Sequence, residues 1–258
     1  MNSEWRSRYE LAIEAAKKAG KHALTYFDRG VPVEWKSDRS PVTVADREAE
    51  AILRTTLLGA FPNDSFLGEE FGNQPGTSGY RWIIDPVDGT RSFVRNIPLW
   101  ATLVALEYKG EPVAGVAYLP AVGGTTYRAL RGDGAYRDER RIRVSEVSNL
   151  SESFLFYSSI SWFVKAGKQD AFLKLATQTQ RQRGYGDFYG FVLLAQGSGE
   201  IMAEYGVQVW DVAALQVLVE EAGGKFTNWK GERDIHCPDV IASNGKLHET
   251  ALAILQGN

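Results

Sequence analysis

Three acidic groups lie far apart along the chain: Gly68-Glu69-Glu70, Asp85-Pro86-Val87-Asp88-Gly89-Thr90 and Trp210-Asp211. Each has an ordinary reading. Asp-Pro and Asp-Gly form turns, Glu69-Glu70 suits an exposed loop, and Asp211 suits the cap of a following helix. Asp85 and Asp88 invite more, because they flank a proline-containing turn where an apolar, β-prone run ends, and both side chains can point into one pocket. Two close carboxylates repel. They stay ionised most readily with a divalent cation between them, whose charge outweighs the repulsion and the desolvation. Oxygen-only ligands favour Mg²⁺ or a similarly hard ion, whereas zinc recruits His or Cys. His22, His236 and His248 are scattered and Cys237 stands alone, so the sequence offers no such set. Gly89-Thr90 adds a place for an anion: a helix or turn starting there aims unpaired N–H groups outward, and Gly89 has no Cβ to hold a phosphate off.

These residues need a scaffold. Leu11, Ala12, Ala15, Ala16, Ala19, Ala23 and Leu24 recur at helical spacing, which predicts an amphipathic helix over 6–27, closed by Gly30 and Pro32. A second helix is expected over about 45–58, with Thr43 and Asp46 as a capping pair and Gly59 and Pro62 ending it. Trp82-Ile83-Ile84 reads as a strand that stops at Asp85-Pro86, which places the paired carboxylates at a strand end. Between 101 and 144, apolar runs alternate with Lys109-Gly110, Gly123-Gly124 and Gly132-Asp133-Gly134, a pattern of consecutive antiparallel strands. Beyond about 150 the order changes to short strands near 154–156 and 201–203, with helices over 170–179, 188–196 and 212–222. The expectation is an N-terminal α+β half over 1–150 and a C-terminal α/β half over 151–258, sharing one cleft.

Bulk properties exclude several classes. Net charge is −3 with both signs interspersed, so neither nucleic acid nor an anionic membrane is a general partner. The basic stretch from Arg137 to Arg143 contains Asp138 and Glu139 and reads as a solvated hairpin. No apolar run approaches the roughly 20 residues that cross a bilayer. One cysteine permits no internal disulfide and suits a cytoplasmic protein.

Taken together, Gly68-Glu69-Glu70, Trp82-Ile83-Ile84-Asp85-Pro86-Val87-Asp88-Gly89-Thr90 and Trp210-Asp211-Val212-Ala213-Ala214 with Glu221-Ala222-Gly223-Gly224 resemble the inositol-monophosphatase family. The likeness spans nearly the whole chain. It implies a layered αβαβα sandwich and hydrolysis of a small phosphate monoester with two or three Mg²⁺ ions, Mn²⁺ being an acceptable substitute. It also implies a homodimer. By the same resemblance, Glu69, Asp85 and the Val87 carbonyl would bind one metal, and Asp85, Asp88 and Asp211 a second. Glu69 and Thr90 would position the attacking water, Asp46 would accept from the Thr90 hydroxyl, and the Gly89 and Thr90 N–H groups would grip the phosphate.

Within that family, Gly89-Thr90-Arg91-Ser92-Phe93 followed by Pro98-Leu99-Trp100, the tract from Arg183 to Gly190, and Asp211-Val212-Ala213-Ala214-Leu215 resemble histidinol-phosphatases. That substrate carries an ammonium and an imidazole, which favour carboxylates opposite the metals, and Asp187 and Glu204 are the candidates. Asp187 also suits a helix N-cap before Phe188, and Glu204 a solvated strand end. Arg183 would approach the phosphate or pair with a carboxylate, in this chain or across a dimer. Trp210 serves equally as a cleft wall or as core. The alternatives are an inositol-1-phosphate, nucleotide or sugar phosphatase of the same superfamily, and a non-catalytic sensor of phosphate ligands. A sensor would be marked by loss of a metal carboxylate, and Glu69, Asp85, Asp88 and Asp211 are all present.

Overall fold

The structure, a computed structural model, describes residues 3–36 and 41–257. The chain opens with α1 (Ser3–Leu24), β1 (Glu34–Trp35), β2 (Pro41–Val42) and α2 (Val44–Ala60). Next come β3 (Ser65–Gly68), β4 (Gly72–Gln74), β5 (Tyr80–Asp88), α3 (Thr90–Phe93), β6 (Ala101–Tyr108), β7 (Glu111–Leu119), β8 (Thr125–Leu130), β9 (Gly134–Arg137) and β10 (Arg140–Ile142). The remainder comprises β11 (Phe154–Tyr157), α4 (Ile160–Lys165), α5 (Gln169–Gln178), β12 (Arg181–Arg183), α6 (Asp187–Ala195), β13 (Ile201–Tyr205), α7 (Val209–Glu221), β14 (Lys225–Thr227), β15 (Asp239–Ser243) and α8 (His248–Gln256).

Strands β10-β9-β8-β7-β6-β5-β3-β4 form one eight-stranded sheet, and β12-β11-β13-β15-β14 a second of five. Alternation along the strands sets the layers. Trp82, Ile84, Val104 and Leu106 face α1 and α2, while Ile83, Leu103 and Ala105 face α6 and α7. Met202 and Ala242 close that central layer from the second sheet, and Ile201, Ala203 and Ile241 turn to the outer layer of α4, α5 and α8. The result is the expected αβαβα sandwich. On α1 the buried stripe is alanine, Ala12, Ala15, Ala16, Ala19 and Ala23, which lets the helix axis lie close to the sheet. On α2 it is Ala49, Leu53 and Leu57, each buried leucine stabilising by about 1.5–3 kcal/mol. A buried ion pair ties α1 to the entry of β3: Arg8 Nε donates to Asp64 Oδ2 at 2.8 Å and Nη2 to Oδ1 at 3.0 Å. The guanidinium lies over the Phe61 ring at 4.1 Å and the Tyr80 ring at 3.8 Å.

The strands from 101 to 142 are antiparallel throughout, with the basic stretch at the β9–β10 hairpin. Two expectations are corrected. The strand through Trp82 does not stop at Pro86 but runs to Asp88, its register with β6 shifting between Asp85 and Asp88. That bulge accommodates the proline's missing donor, and Thr102 Oγ1 donates to the Pro86 carbonyl at 2.9 Å. The helix through Phe188 is not capped by Asp187: α6 starts at Asp187 itself, whose φ is +54°. The Asp88 carboxylate takes that role from 100 residues away, accepting from Phe188 N at 2.6 Å.

Candidate active site

The site begins at the head of α2. Thr43 and Asp46 form a reciprocal capping box, with Asp46 Oδ2 accepting from Thr43 N at 2.8 Å and from Thr43 Oγ1 at 2.6 Å. The second carboxylate oxygen of Asp46 accepts from Thr90 Oγ1 at 3.1 Å, and the Val87 carbonyl lies 3.0 Å from the same hydroxyl. That hydroxyl has one proton and two acceptors, so its lone pairs stay available to a water. Asp46 is fully buried, and burial raises its pKa against the opposing hydrogen bonds from Thr43. Gly89 starts α3 at φ +89°, and a Cβ there would fall 2.9 Å from the Leu99 carbonyl, so only glycine makes this turn without strain. The N–H groups of Gly89 and Thr90 precede any intrahelical acceptor and border the cleft.

Around this turn the acidic residues converge. Asp85, Asp88 and Asp211 each place a carboxylate oxygen within 4.8 Å of the others. Two structural devices supply them. Asp85 and Asp88 bracket the β5 bulge, and Asp211 sits in the first turn of α7, where it also accepts from Gln208 N at 2.7 Å in a second capping box. Burial first, then the neighbouring Glu69, Asp88 and Asp211 carboxylates, push Asp85 well above the usual carboxylate range. Asp88 is raised by burial and by Asp187 and Asp211, against the N–H of Phe188. Asp211 is pushed up to about 7, chiefly by burial. Such crowding of acids is unfavourable in isolation and is reversed by a divalent cation, and the all-oxygen donor set fits a hard one.

Glu69 stands beside this cluster on the turn after β3. Its Oε1 accepts from Lys36 Nζ at 2.8 Å, and Glu70 Oε1 accepts from the same ammonium at 2.6 Å. Glu69, Asp85, Val87, Asp88, Gly89, Thr90 and Asp211 line one chamber of about 180 Å³. Asp88, Arg91, Asp187 and Asp211 also line a second, adjoining chamber of about 380 Å³. Ser158, Trp162, Tyr185, Glu204 and Tyr205 line the second. Glu204 is buried there, not solvated: Ser158 Oγ donates to its Oε1, its Oε2 has no hydrogen-bond partner among the described residues, and burial raises its pKa well above the usual range. Asp187 is open to the cleft yet walled in by protein, which pushes it up to about 6 against the pull of Arg91.

Ten of the residues singled out from sequence thus meet in one two-chambered cleft or directly behind it: Asp46, Glu69, Asp85, Val87, Asp88, Gly89, Thr90, Asp187, Glu204 and Asp211. Arg183 does not reach it. It is exposed on the edge strand β12 and donates to its neighbour's carbonyl, that of Gln182, at 2.9 Å. Trp210 packs against the central core. Sequence reasoning passed over Lys36, Arg91, Ser158, Trp162 and Tyr205. The Arg91 position inside the Gly89–Phe93 tract was the one signal available; the others carry none that local spacing reveals.

An αβαβα body with carboxylates gathered where β5, α3 and α7 meet defines a layered α/β protein with an acidic cluster that could hold a metal ion. The chain belongs to the inositol monophosphatase family, whose sequence profile matches residues 4–258. It is 42% identical to the histidinol-phosphatase of Streptomyces coelicolor over 232 residues, which cover 86% of this chain and 86% of that protein. With the histidinol-phosphatase of Mycobacterium tuberculosis it shares 41% identity over 251 residues, 95% of this chain and 96% of that one. The crystal structure of extragenic suppressor protein suhB from Bartonella henselae superposes with a TM-score of 0.90 at 30% identity, covering 96% of this chain and 97% of the other. Among the described residues no helix is long and apolar enough to cross a membrane.

Proposed function

We propose that this chain is a Mg²⁺-dependent phosphatase that hydrolyses L-histidinol phosphate to L-histidinol and phosphate in the cytoplasm. The observation that carries the reading is the convergence of Asp85, Asp88 and Asp211 within 4.8 Å beside the Gly89–Thr90 turn. Glu69, Asp85 and the Val87 carbonyl would hold one cation, and Asp85, Asp88 and Asp211 another. Bound there, divalent ions supply Lewis acidity, neutralising phosphoryl charge and easing deprotonation of water. The remaining work falls to the chain itself. Asp46 holds the Thr90 hydroxyl so that its lone pairs face inward, and Thr90 with Glu69 orients the attacking water. The Gly89 and Thr90 N–H groups receive phosphoryl oxygens, and positioning together with charge neutralisation lowers the barrier without a phosphoenzyme.

Division of labour follows the halves 1–150 and 151–258: the first supplies Glu69, Asp85, Asp88 and Thr90, the second Asp187, Glu204 and Asp211. In the larger chamber, Asp187 and Glu204 face the leaving group, and a cationic one suits two carboxylates whose pKa values are raised in a cleft, one of which, Glu204, leaves Oε2 without a hydrogen-bond partner among the described residues. The names of the two histidinol-phosphatase relatives favour the same substrate. A panel of histidinol phosphate, inositol 1-phosphate and glycerol 2-phosphate, each with Mg²⁺ and with EDTA, tests it. Histidinol phosphate is expected to have the highest kcat/KM and EDTA to stop phosphate release. Turnover of inositol 1-phosphate at an equal or higher kcat/KM would overturn the substrate, and release insensitive to EDTA would overturn the mechanism.

A further inference from the structure

The turn that carries Glu69 is held from beneath by a residue with no place in the chemistry above. Glu50, on α2, is fully buried, and both of its carboxylate oxygens are used on the main chain of that turn. Oε2 accepts from Glu70 N at 2.8 Å and Oε1 from Phe71 N at 2.9 Å. Glu50 lies one helical turn beyond Asp46, so one face of α2 presents two carboxylates in sequence: the first fixes Thr90, the second fixes the turn after β3. On its other side the turn is held by Glu69 N donating to the Ile84 carbonyl at 3.3 Å. Gly68 completes the fit, because a Cβ there would fall 1.9 Å from Glu50 Oε1; its glycine is needed for space, not for φ.

Among the described residues no cation lies against the Glu50 carboxylate; a buried carboxylate so placed is costly, and an apolar residue at position 50 would serve packing better. What the carboxylate adds is a two-point clamp on the two backbone amides directly after Glu69, those of Glu70 and Phe71. We infer that Glu50 is a positioning residue that, by clamping the Glu70 and Phe71 amides, sets the Glu69 carboxylate at its distance from Asp85 before any cation arrives. The inference rests on the reading of Glu69 as a metal ligand.

The test is calorimetric titration of the full-length protein with Mg²⁺ alone, for wild type, Glu50→Gln, Glu50→Ala, Gly68→Ala, the double variant Glu50→Ala with Gly68→Ala, and the control Glu69→Gln. Glu50→Gln keeps the size but turns an NH₂ donor towards an amide donor, and Gly68→Ala displaces the carboxylate without removing it. All three single variants are expected to bind Mg²⁺ about 10–100-fold more weakly, the range for losing a group that orients a ligand. Their kcat recovers towards wild type at saturating Mg²⁺, which that of Glu69→Gln does not. The double variant is expected to be no weaker than Glu50→Ala, since the space Gly68 guards is then vacant. Wild-type Mg²⁺ affinity in folded Glu50 variants, with only a lower Tm, would overturn the inference, as would additive losses in the double variant. Should Glu50→Ala fail to fold, Gly68→Ala carries the same expectation. Unaltered Mg²⁺ binding in Glu69→Gln would instead refute the ligand assignment on which the inference stands.

Discussion

Replacing Asp85 by Asn should make the metal-free protein more stable while destroying its response to Mg²⁺. Asp85 is buried and its carboxylate lies within 4.8 Å of those of Asp88 and Asp211. At an effective dielectric of about 20, two unit charges 4.8 Å apart repel by about 3.5 kcal/mol. The Asn variant loses the repulsion with Asp88 and Asp211 and the desolvation of one charge, while its amide oxygen still accepts from Val87 N, now at 3.0 Å. Protons shared within the cluster relieve part of the repulsion, so the net gain at pH 8 is about 1–3 kcal/mol. For a chain of this size that raises Tm by roughly 3–10 °C. Melting followed by circular dichroism in EDTA, and again with Mg²⁺ in excess, reads both effects. Wild type is expected to gain stability with Mg²⁺ as RT ln(1 + [L]/Kd), about 2.7 kcal/mol at a hundredfold excess over Kd, and the variant to gain little. Its turnover should fall below detection. A variant that melts below wild type in EDTA, or that keeps near-normal activity, would refute this reasoning.

Acidity should act in the same direction. Burial raises Asp187 to about 6 and Asp211 and Glu50 to about 7, from 3.8, 3.8 and 4.5. Protons bound more tightly by the folded state stabilise it fully below the unfolded values and cease to do so as pH rises through about 6 and 7. Tm in EDTA is therefore expected to fall between pH 5 and pH 8, and a rise would contradict the cause given. Arg8→Met leaves Asp64 buried without its ion-pair partner, with only the Ser78 hydroxyl still donating to it, which costs about 3–5 kcal/mol, so Tm should drop while turnover per folded molecule is kept; an unchanged Tm would show the pair to be inert. Glu204→Gln should raise KM for histidinol phosphate about tenfold or more by weakening a charge-assisted contact, with little effect on glycerol 2-phosphate. Equal losses on both substrates would assign Glu204 to structure.

How far the sequence discloses this molecule depends on the range over which each feature is encoded. The Thr43–Asp46 capping box and the alanine stripe of α1 are local patterns, legible because helix periodicity and capping act within one or two turns. Within the carboxylate cluster the Asp85–Asp88 pair was legible for a chemical reason, since close acids beside a glycine turn are held ionised most readily by a cation, whereas the joining of Glu69 and Asp211 rested on the family resemblance alone. The end of β5 was not, because the bulge that carries Pro86 depends on β6 and on Thr102. The cap of α6 comes from Asp88, and no window around Phe188 contains it. Glu204 reads as an ordinary strand charge until the second sheet and Ser158 enclose it. Glu50 is likewise one of the two glutamates on α2, and only the 2.8 and 2.9 Å contacts with Glu70 and Phe71 distinguish it.

Crystals soaked in Mn²⁺ and measured at the manganese absorption edge test the metal centre most directly. Anomalous peaks are expected between Asp85 and its neighbours Glu69, Asp88 and Asp211, with Asp85 shared between two ions. An empty cluster with its carboxylates turned apart, or peaks confined to other parts of the surface, would contradict the mechanism.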